Sequence, residues 1–180
     1  MNYFITAIDT DSGKTLASAI ITEALGADYW KPIQAGNPTD SDTVKSLVNP
    51  SIKIHKEAYF LKTPASPHYA ASVEGIEINT EDINLPSSKN DLVIEGAGGM
   101  LVPINDKDYV IDLAAKFDSK VILVSNLYLG SINHTLLTLE ALVNRNLRPI
   151  GIIFNGEPNP SSEEIILKKY NIPVLLHIKK

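Results

Sequence analysis

A Gly-Lys-Thr triplet at positions 13–15 is the strongest chemical signal in the sequence. It lies between an apolar run of strand length, Tyr3 to Ile8, and a segment with helical spacing of apolar residues, Thr15 to Leu25. At a helix start, free backbone N–H groups attract phosphate, the Lys14 ammonium can reach the β- and γ-phosphates, and the next hydroxyl can ligate Mg²⁺. The full motif G-x-x-x-x-G-K-[ST] requires an earlier glycine where this sequence has isoleucine, so only its second half matches. A chance triplet opening a helix stays the alternative.

Two carboxylates and a second lysine could complete a nucleotide site. Glu95 ends the apolar run Leu92 to Glu95 and precedes Gly-Ala-Gly-Gly, at the edge where open α/β sheets bind ligands. Asp42 lies near a predicted helix start, where Mg²⁺ ligation and simple helix capping are both open. Lys31 follows a short predicted strand and could add positive charge near transferring phosphoryl groups, although a surface lysine is the alternative.

The elements that would position these residues alternate along the chain. Apolar strand-length runs, rich in β-branched residues, alternate with helical patterns, which indicates an α/β fold with a mainly parallel sheet. The predicted strands are Tyr3 to Ile8, Tyr29 to Lys31, Leu92 to Glu95, Val121 to Ser125, Ile150 to Phe154 and Val174 to Leu176. The predicted helices are Thr15 to Leu25, Asp40 to Val48, Tyr109 to Phe117, Ser131 to Asn146 and Ile165 to Tyr170. Two proline- and serine-containing segments, Asn49 to Pro67 and Gly75 to Asn90, are predicted to be long loops.

Composition bounds the class of protein. The chain has 180 residues, 44% of them hydrophobic, which is enough for one domain with a full core. It has no cysteine, so a disulfide scaffold and cysteine nucleophiles are excluded. With 16 Lys+Arg against 21 Asp+Glu, the formal charge of −5 argues against a nucleic-acid partner. No apolar run approaches a membrane span or a signal peptide, so we expect no membrane partner and a cytoplasmic location.

Seven sequence blocks, in order, resemble the dethiobiotin synthetase family, ATP-dependent ligases of biotin biosynthesis. That family has a phosphate loop of the form G-T-D-T-x-x-G-K-T, and this sequence has A-I-D-T-D-S-G-K-T. The other blocks are Lys31-Pro32, Ser41-Asp42, Pro64-Ala65-Ser66-Pro67-His68, Glu95-Gly96-Ala97-Gly98-Gly99, Leu129-Gly130-Ser131-Ile132-Asn133-His134, and the strand-end Asn155. The resemblance implies one P-loop NTPase-like domain over residues 1–180, a three-layer sandwich whose mainly parallel central sheet is flanked by helices.

The family's reaction, implied by this resemblance, is a Mg²⁺-dependent cyclo-ligation. It joins CO2 to 7,8-diaminopelargonic acid with ATP, or another nucleoside triphosphate, and forms the cyclic urea of dethiobiotin. The resemblance implies Mg²⁺ ligation by Thr15, Asp42 and Glu95, and catalytic roles for Lys14, Lys31 and Thr10. It implies nucleotide contacts by Asp11, Ser12, Gly13, Lys14, Thr15, Leu16, Asp42, Glu95, Gly96, Ala97, Gly98 and Asn155.

Substrate binding and assembly are also implied by the resemblance. In the family, the active site lies at a homodimer interface, and the opposite subunit receives the distal carboxylate of the diamine. The residues implied in substrate binding are Ala35, Gly99, Leu129, Gly130, Ser131 and Asn133. The free N–H groups of a helix that begins after Gly130 suit an anion, although a simple helix cap stays the alternative.

Three departures from the family pattern affect these expectations. Ala7 replaces the first loop glycine, Ala35 stands where the family usually has a Ser or Thr hydroxyl, and the sequence ends where the family continues with a base-binding segment. We therefore expect weak selectivity for the nucleotide base. Three alternatives stay open: a nucleotide switch of the partitioning or metal-insertion ATPases, disfavoured by Asp9 and Asp11 in the loop; a cobalamin-precursor ligase, disfavoured by length; and an inactive homologue.

Overall fold

Alternating strand and helix segments build a central parallel sheet, which a computed structural model describes for residues 1–179. Within that range the strands are β1 (Asn2–Ala7), β2 (Asp28–Trp30), β3 (Ile33–Ala35), β4 (Ile54–His55), β5 (Tyr59–Leu61), β6 (Leu92–Glu95), β7 (Lys120–Asn126), β8 (Gly151–Asn155) and β9 (Val174–Ile178). The α-helices are α1 (Lys14–Leu25), α2 (Asp40–Leu47), α3 (Pro67–Glu74), α4 (Val110–Lys116), α5 (Ser131–Val143) and α6 (Pro160–Tyr170). A short 3₁₀ helix spans Thr80–Asp82.

The main sheet has seven strands in the order β4-β2-β6-β1-β7-β8-β9, and each neighbouring pair is parallel. The first strand of the chain is therefore central, with Phe4 beside Ile94 on one side and Val121 on the other. Strands β3 and β5 form a separate parallel pair. Because parallel strands end at the same edge, the ends of β1, β2 and β6 bring their following residues together.

Helices cover both faces of the sheet. Along β1, Phe4 belongs to the core cluster that includes α4, whereas Ile5 and Ala7 belong to the cluster that includes α1 and α2. On β8, Ile152 and Phe154 pack with α5 and α6 in a third cluster, while Ile153 faces the α1 side. This alternation is what strands buried on both faces require. The predicted single-domain, three-layer α/β fold is confirmed.

The segment from 49 to 67 was predicted to be one long loop. It contains regular secondary structure, so that prediction is wrong. It holds β4 and β5, and α3 begins at its last residue. These strands have two and three residues with mixed exposure, too short for a visible alternation pattern. Their pairing with β2 and β3 creates them, and that pairing joins residues distant in sequence. Between 75 and 90 the 3₁₀ turn is the helical element present, close to the expectation of a loop.

None of the helices within residues 1–179 is both long and apolar enough to cross a lipid bilayer.

Candidate phosphate-transfer site

The loop between β1 and α1 has the backbone of an anion-binding site. Asp11 and Gly13 adopt left-handed conformations, with φ of 57° and 93°. Gly13 is the N-cap residue of α1 and has no side chain to occupy the free N–H groups of the first helical turn. The start of α1 therefore directs backbone donors and the positive end of the helix dipole into the space above the loop, where phosphate would bind.

Two strand-end asparagines hold this loop from behind. The Asn155 amide nitrogen, at the end of β8, donates to the Ser12 carbonyl oxygen at 2.9 Å, and the Ser12 hydroxyl donates to the Asn126 side-chain oxygen at 2.9 Å. A Cβ atom on Gly13 would lie 2.3 Å from the Asn155 amide nitrogen, so a larger residue would displace that side chain and strain the backbone at φ 93°. Asn155 thus supports the loop in this structure, and its predicted contact with the nucleotide base stays a prediction.

A buried carboxylate links the loop to β2. Glu95 is 1% exposed; its Oε1 accepts hydrogen bonds from the Thr15 hydroxyl at 3.0 Å and from Lys31 Nζ at 3.3 Å. Its Oε2 accepts a hydrogen bond from the Tyr29 hydroxyl at 2.9 Å. Lys31 also forms an ion pair with Asp40, and Lys14 Nζ donates to the Asp9 carbonyl at 3.2 Å. The ends of β2 and β6 and the start of α1 therefore converge on one cluster of charges.

The two lysines of this cluster have pKa values shifted in opposite directions. Burial lowers the pKa of Lys14 and outweighs the opposing attraction of Glu95. Burial also acts to lower the pKa of Lys31, but the charges of Glu95 and Asp40 outweigh it, so the Lys31 pKa is raised. Lys31 is therefore held as an ammonium ion, while the Lys14 ammonium is poorly compensated and gains most from a bound anion.

The helix-start carboxylate in this cluster is Asp40, where we had expected Asp42. Asp42 is exposed, and its carboxylate accepts a hydrogen bond from the Thr39 hydroxyl at 2.7 Å. Thr39 caps α2, so Asp42, at the third helical position, turns back toward the cap. Asp40 opens the helix and reaches Lys31 and Thr15; burial acts to raise its pKa, but Lys31 outweighs this and the pKa is lowered.

Half of the predicted site residues line two adjoining cavities. The first, of about 290 Å³, is lined by Thr10, Asp11, Gly13, Lys14, Thr15, Lys31, Asp40, Glu95 and Gly98. The second, of about 450 Å³, is lined by residues that include Ala35 and Ala97, and it shares Thr10, Asp11, Lys31, Asp40 and Gly98 with the first. A polar chamber beside the phosphate loop thus opens into a chamber with more apolar walls, and Thr10 and Lys31 lie at their junction.

Other predicted residues lie farther from this junction. Gly99 lines a third, mainly apolar cavity of about 370 Å³ together with His134 of α5. Leu129 is fully exposed and Asn133 is exposed near the start of α5, whereas Ser131 is buried and its hydroxyl has no hydrogen-bond partner within residues 1–179. Leu16 is exposed at the third position of α1, and Gly96 packs against Phe4 and Val110.

Three residues of the site were not predicted from the sequence: Tyr29, Asp40 and Asn126. Each lies within two residues of a predicted element end, but Tyr29 is indistinguishable from a core tyrosine until its hydroxyl is seen on Glu95. Asp40 differs from Asp42 in its side-chain direction, which the helix cap decides. Asn126 becomes a partner because β7 and β8 end beside the loop.

Hard oxygen atoms suitable for Mg²⁺ meet in the first cavity. Thr15, Glu95 and Asp40 supply a hydroxyl and two carboxylates, the ligand types that Mg²⁺ prefers. Within residues 1–179, no group of three or more His, Asp or Glu side chains could enclose a metal ion by itself. The residues present therefore fit a metal ion that also depends on phosphate and water oxygens for its ligands.

Comparisons with known proteins identify relatives over nearly the whole chain. A family model described as an AAA domain matches residues 1–180. An ATP-dependent dethiobiotin synthetase BioD from Cytophaga hutchinsonii is 62% identical over 179 residues, covering 98% of this chain and 87% of the relative. One of the same name from Christiangramia forsetii is 52% identical over 182 residues, covering 99% and 87%.

A solved structure shares the fold at low sequence identity. The ParA family ATPase from Chlorobium tepidum superposes with a TM-score of 0.63 over 99% of this chain and 83% of that protein, at 15% identity. At this identity the likeness shows a common architecture and gives no information about substrate.

Proposed function

Because the chain belongs to the ATP-dependent dethiobiotin synthetase family, we propose that it closes the ureido ring of dethiobiotin, using ATP, CO2 and 7,8-diaminopelargonate. It is an ATP-dependent ligase of biotin biosynthesis, and residues 1–180 act as one domain. The observation that carries the proposal is the junction of the two cavities, where Lys31 and Thr10 face both the phosphate chamber and the neighbouring chamber. Relatives that are 62% and 52% identical carry the name of this activity.

The reaction transfers the γ-phosphoryl group from ATP, in the phosphate chamber, to a carbamate in the neighbouring chamber. A substrate amine captures CO2 as a carbamate, the carbamate oxygen attacks the γ-phosphorus and ADP leaves; the second amine then attacks the carbonyl and expels phosphate. Lys31, held protonated by two carboxylates, stabilises the carbamate and the transferring phosphoryl group. The Thr10 hydroxyl donates to the carbamate from the same junction.

The phosphate loop binds the nucleotide. The free N–H groups of α1 surround the phosphates, and Lys14 exchanges the Asp9 carbonyl for phosphate oxygens, which restores the charge compensation that burial denies it. The neighbouring residues Asp11, Ser12, Gly13 and Leu16 extend this cradle, and Gly96, Ala97 and Gly98 approach the nucleotide from the end of β6. The Asn155 amide nitrogen donates a hydrogen bond to the Ser12 carbonyl, so we assign the contact with the base to its side-chain oxygen.

Thr15 and Glu95 would hold Mg²⁺, with Asp40 in the place that we first predicted for Asp42. When bound, Mg²⁺ supplies charge neutralisation on the phosphate oxygens. Thr15, Glu95 and Asp40 supply hard oxygens from three different elements, so a shared metal ion would hold α1, β6 and α2 together around the nucleotide.

We further propose a homodimer in which the start of α5 receives the distal carboxylate of the diamine from the opposite subunit. Two observations support it: the exposed Leu129 beside the helix start, and the unpartnered, buried Ser131 hydroxyl on the first turn of α5 within residues 1–179. Asn133→Ala should raise the KM for the diamine and leave the KM for ATP unchanged. A diamine KM equal to that of the unaltered protein would contradict this part of the proposal.

A product assay tests the activity. Purified protein is incubated with 7,8-diaminopelargonate, bicarbonate and Mg²⁺, with ATP, GTP or CTP in parallel, and dethiobiotin is measured by mass spectrometry. Product formation supports the ligase, and product with several nucleotides supports weak base selectivity. Hydrolysis of nucleotide without product would overturn the ligase and favour a nucleotide switch.

A further inference from the structure

A tyrosine behind the phosphate cavity holds the carboxylate at the end of β6. Tyr29 is completely buried on β2, and its hydroxyl lies 2.9 Å from Glu95 Oε2. Within residues 1–179 this hydroxyl is the one hydrogen-bond partner of Oε2, whereas Oε1 carries both Thr15 and Lys31. Oε2 of Glu95 is therefore bonded inside the protein, whereas Oε1 faces the residues of the cavity.

Strand register explains why the phenol reaches this carboxylate. Tyr29 lies beside Val93 in the parallel pair β2 and β6, and Glu95 is two residues farther along β6 on the same face. Tyr29 and Val93 belong to the same core cluster on the α1 side of the sheet. The tyrosine ring is thus packed among apolar residues while its hydroxyl extends along the strand to the carboxylate, which limits both to one arrangement.

The hydroxyl donates its hydrogen to the carboxylate, because a carboxylate oxygen can only accept a hydrogen bond. A buried carboxylate oxygen without a partner is costly, so removal of the hydroxyl would favour rotation of Glu95 toward the donors Thr15 and Lys31. Such rotation would present the cavity with a carboxylate in several orientations.

We propose that Tyr29 is a positioning residue for divalent-cation binding, acting through Glu95. The proposal rests on the assignment of Glu95 as a Mg²⁺ ligand in the proposed function. A hydrogen bond to the oxygen that faces away from the metal orients the ligating oxygen, and the loss of such supporting bonds commonly costs about 10- to 100-fold in metal affinity or activity.

Calorimetric titration of ATP into the full chain, once with Mg²⁺ and once with EDTA, tests the proposal. For Tyr29→Phe we expect the Mg²⁺-dependent gain in ATP affinity to fall about tenfold, with the Kd in EDTA unchanged. Tyr59→Phe is the matched control, because the Tyr59 hydroxyl accepts a hydrogen bond from the Asn79 backbone N–H, on the β3–β5 side of the molecule. We expect it to leave both values unchanged.

Two outcomes would overturn the inference. One is a Mg²⁺-dependent gain in Tyr29→Phe equal to that of the unaltered protein. The other is a loss of ATP affinity that is equal in Mg²⁺ and in EDTA, which would indicate a packing role. Thermal unfolding checks that the variant is folded, and Tyr29→Met, which fills the core without a hydroxyl, replaces it if the phenylalanine variant does not fold.

The titration and the product assay together separate this inference from the proposed function. If the unaltered protein forms no dethiobiotin but Tyr29→Phe still loses its Mg²⁺-dependent gain, the ligase fails and the positioning role stands. If dethiobiotin forms and Tyr29→Phe keeps the full gain, the ligase stands and the positioning role fails.

Discussion

Two buried carboxylates lie at opposite ends of the same pair of strands. Asp28 begins β2 and pairs in register with Leu92, the first residue of β6, whereas Glu95 is the last residue of β6. Asp28 accepts hydrogen bonds from His55 at 2.9 Å, from Ser88 at 2.7 Å and from Asn90 at 2.9 Å. Glu95 accepts from a threonine, a tyrosine and a lysine. Both residues are at most 2% exposed, and both carboxylates accept three hydrogen bonds.

The difference between them lies in their partners and not in their burial. The donors to Asp28 come from β4 and from the segment just before β6, so this carboxylate joins an edge strand and a loop to the sheet. The donors to Glu95 include the Lys31 ammonium, and its neighbours line a cavity beside an anion-binding helix start. A buried, fully bonded carboxylate therefore indicates a site only where its partners also face an open chamber.

The largest expected effect is on the Glu95 side. Lys31→Ala should lower turnover about 100- to 1000-fold, since a preorganised charge at the transferring group is lost. Lys45→Ala, which removes an exposed lysine in the last turn of α2, is the control and should retain full turnover. Steady-state kinetics of dethiobiotin formation measure the turnover of both variants. Near-normal turnover in Lys31→Ala would show that Glu95, like Asp28, is a structural carboxylate.

The next effect belongs to the Asp28 side and concerns stability. Asp28→Asn replaces one carboxylate oxygen by an NH2 group, which would face at least one of the three hydrogen-bond donors. We therefore expect the free energy of unfolding at pH 7 to fall by about 1.5 to 3 kcal/mol. Turnover of the folded variant should be unchanged, because Asp28 lies at the other edge of the sheet. Urea unfolding and kinetics at the same temperature give both values. A variant of normal stability and impaired turnover would reverse the roles that we assign.

A matched pair of substitutions tests which acidic residue of α2 joins the Glu95 cluster. Asp40→Asn should raise the Mg²⁺ concentration that gives half-maximal turnover about tenfold or more, by analogy with the loss of groups that support a metal. Asp42→Asn should alter only the helix cap, at a cost of about 1 kcal/mol or less in stability. The measurement is turnover against Mg²⁺ concentration at saturating ATP; the opposite ranking would show that Asp42 turns into the cavity when nucleotide binds.

The smallest expected effect is on how the free energy of unfolding depends on pH. Burial acts to raise the pKa of Asp28, but hydrogen bonds from Asn90, Ser88 and His55 outweigh it, so its pKa in the folded protein lies below the ordinary 3.8. A carboxyl with a lowered folded pKa stabilises above its unfolded pKa, and the contribution disappears as the pH falls through the folded value. The stability difference between the unaltered protein and Asp28→Asn should thus be constant near neutrality and shrink below about pH 4. A difference that grows in acid would contradict this origin.

The chemistry of the site was largely predictable because its residues are adjacent in sequence or follow strand ends. The Gly-Lys-Thr triplet between a strand and a helix, Glu95 at the end of β6 and Lys31 after β2 all occupy the first cavity, as the topology of a parallel sheet requires. The start of α6 was predicted less well. The predicted helix begins at Ile165, whereas α6 begins at Pro160 and is capped by the Asn159 side chain, which accepts from the Ser162 backbone N–H.

The sequence by itself determined which residue types stand at the ends of strands and helices, and thereby the fold class and the phosphate loop. Only the tertiary structure decided that Asp40 and not Asp42 meets Lys31, that Tyr29 holds Glu95 and that Asn126 and Asn155 hold Ser12. The physical reason is that strand register and helix capping set the direction of a side chain, and both depend on partners that are far away in the chain.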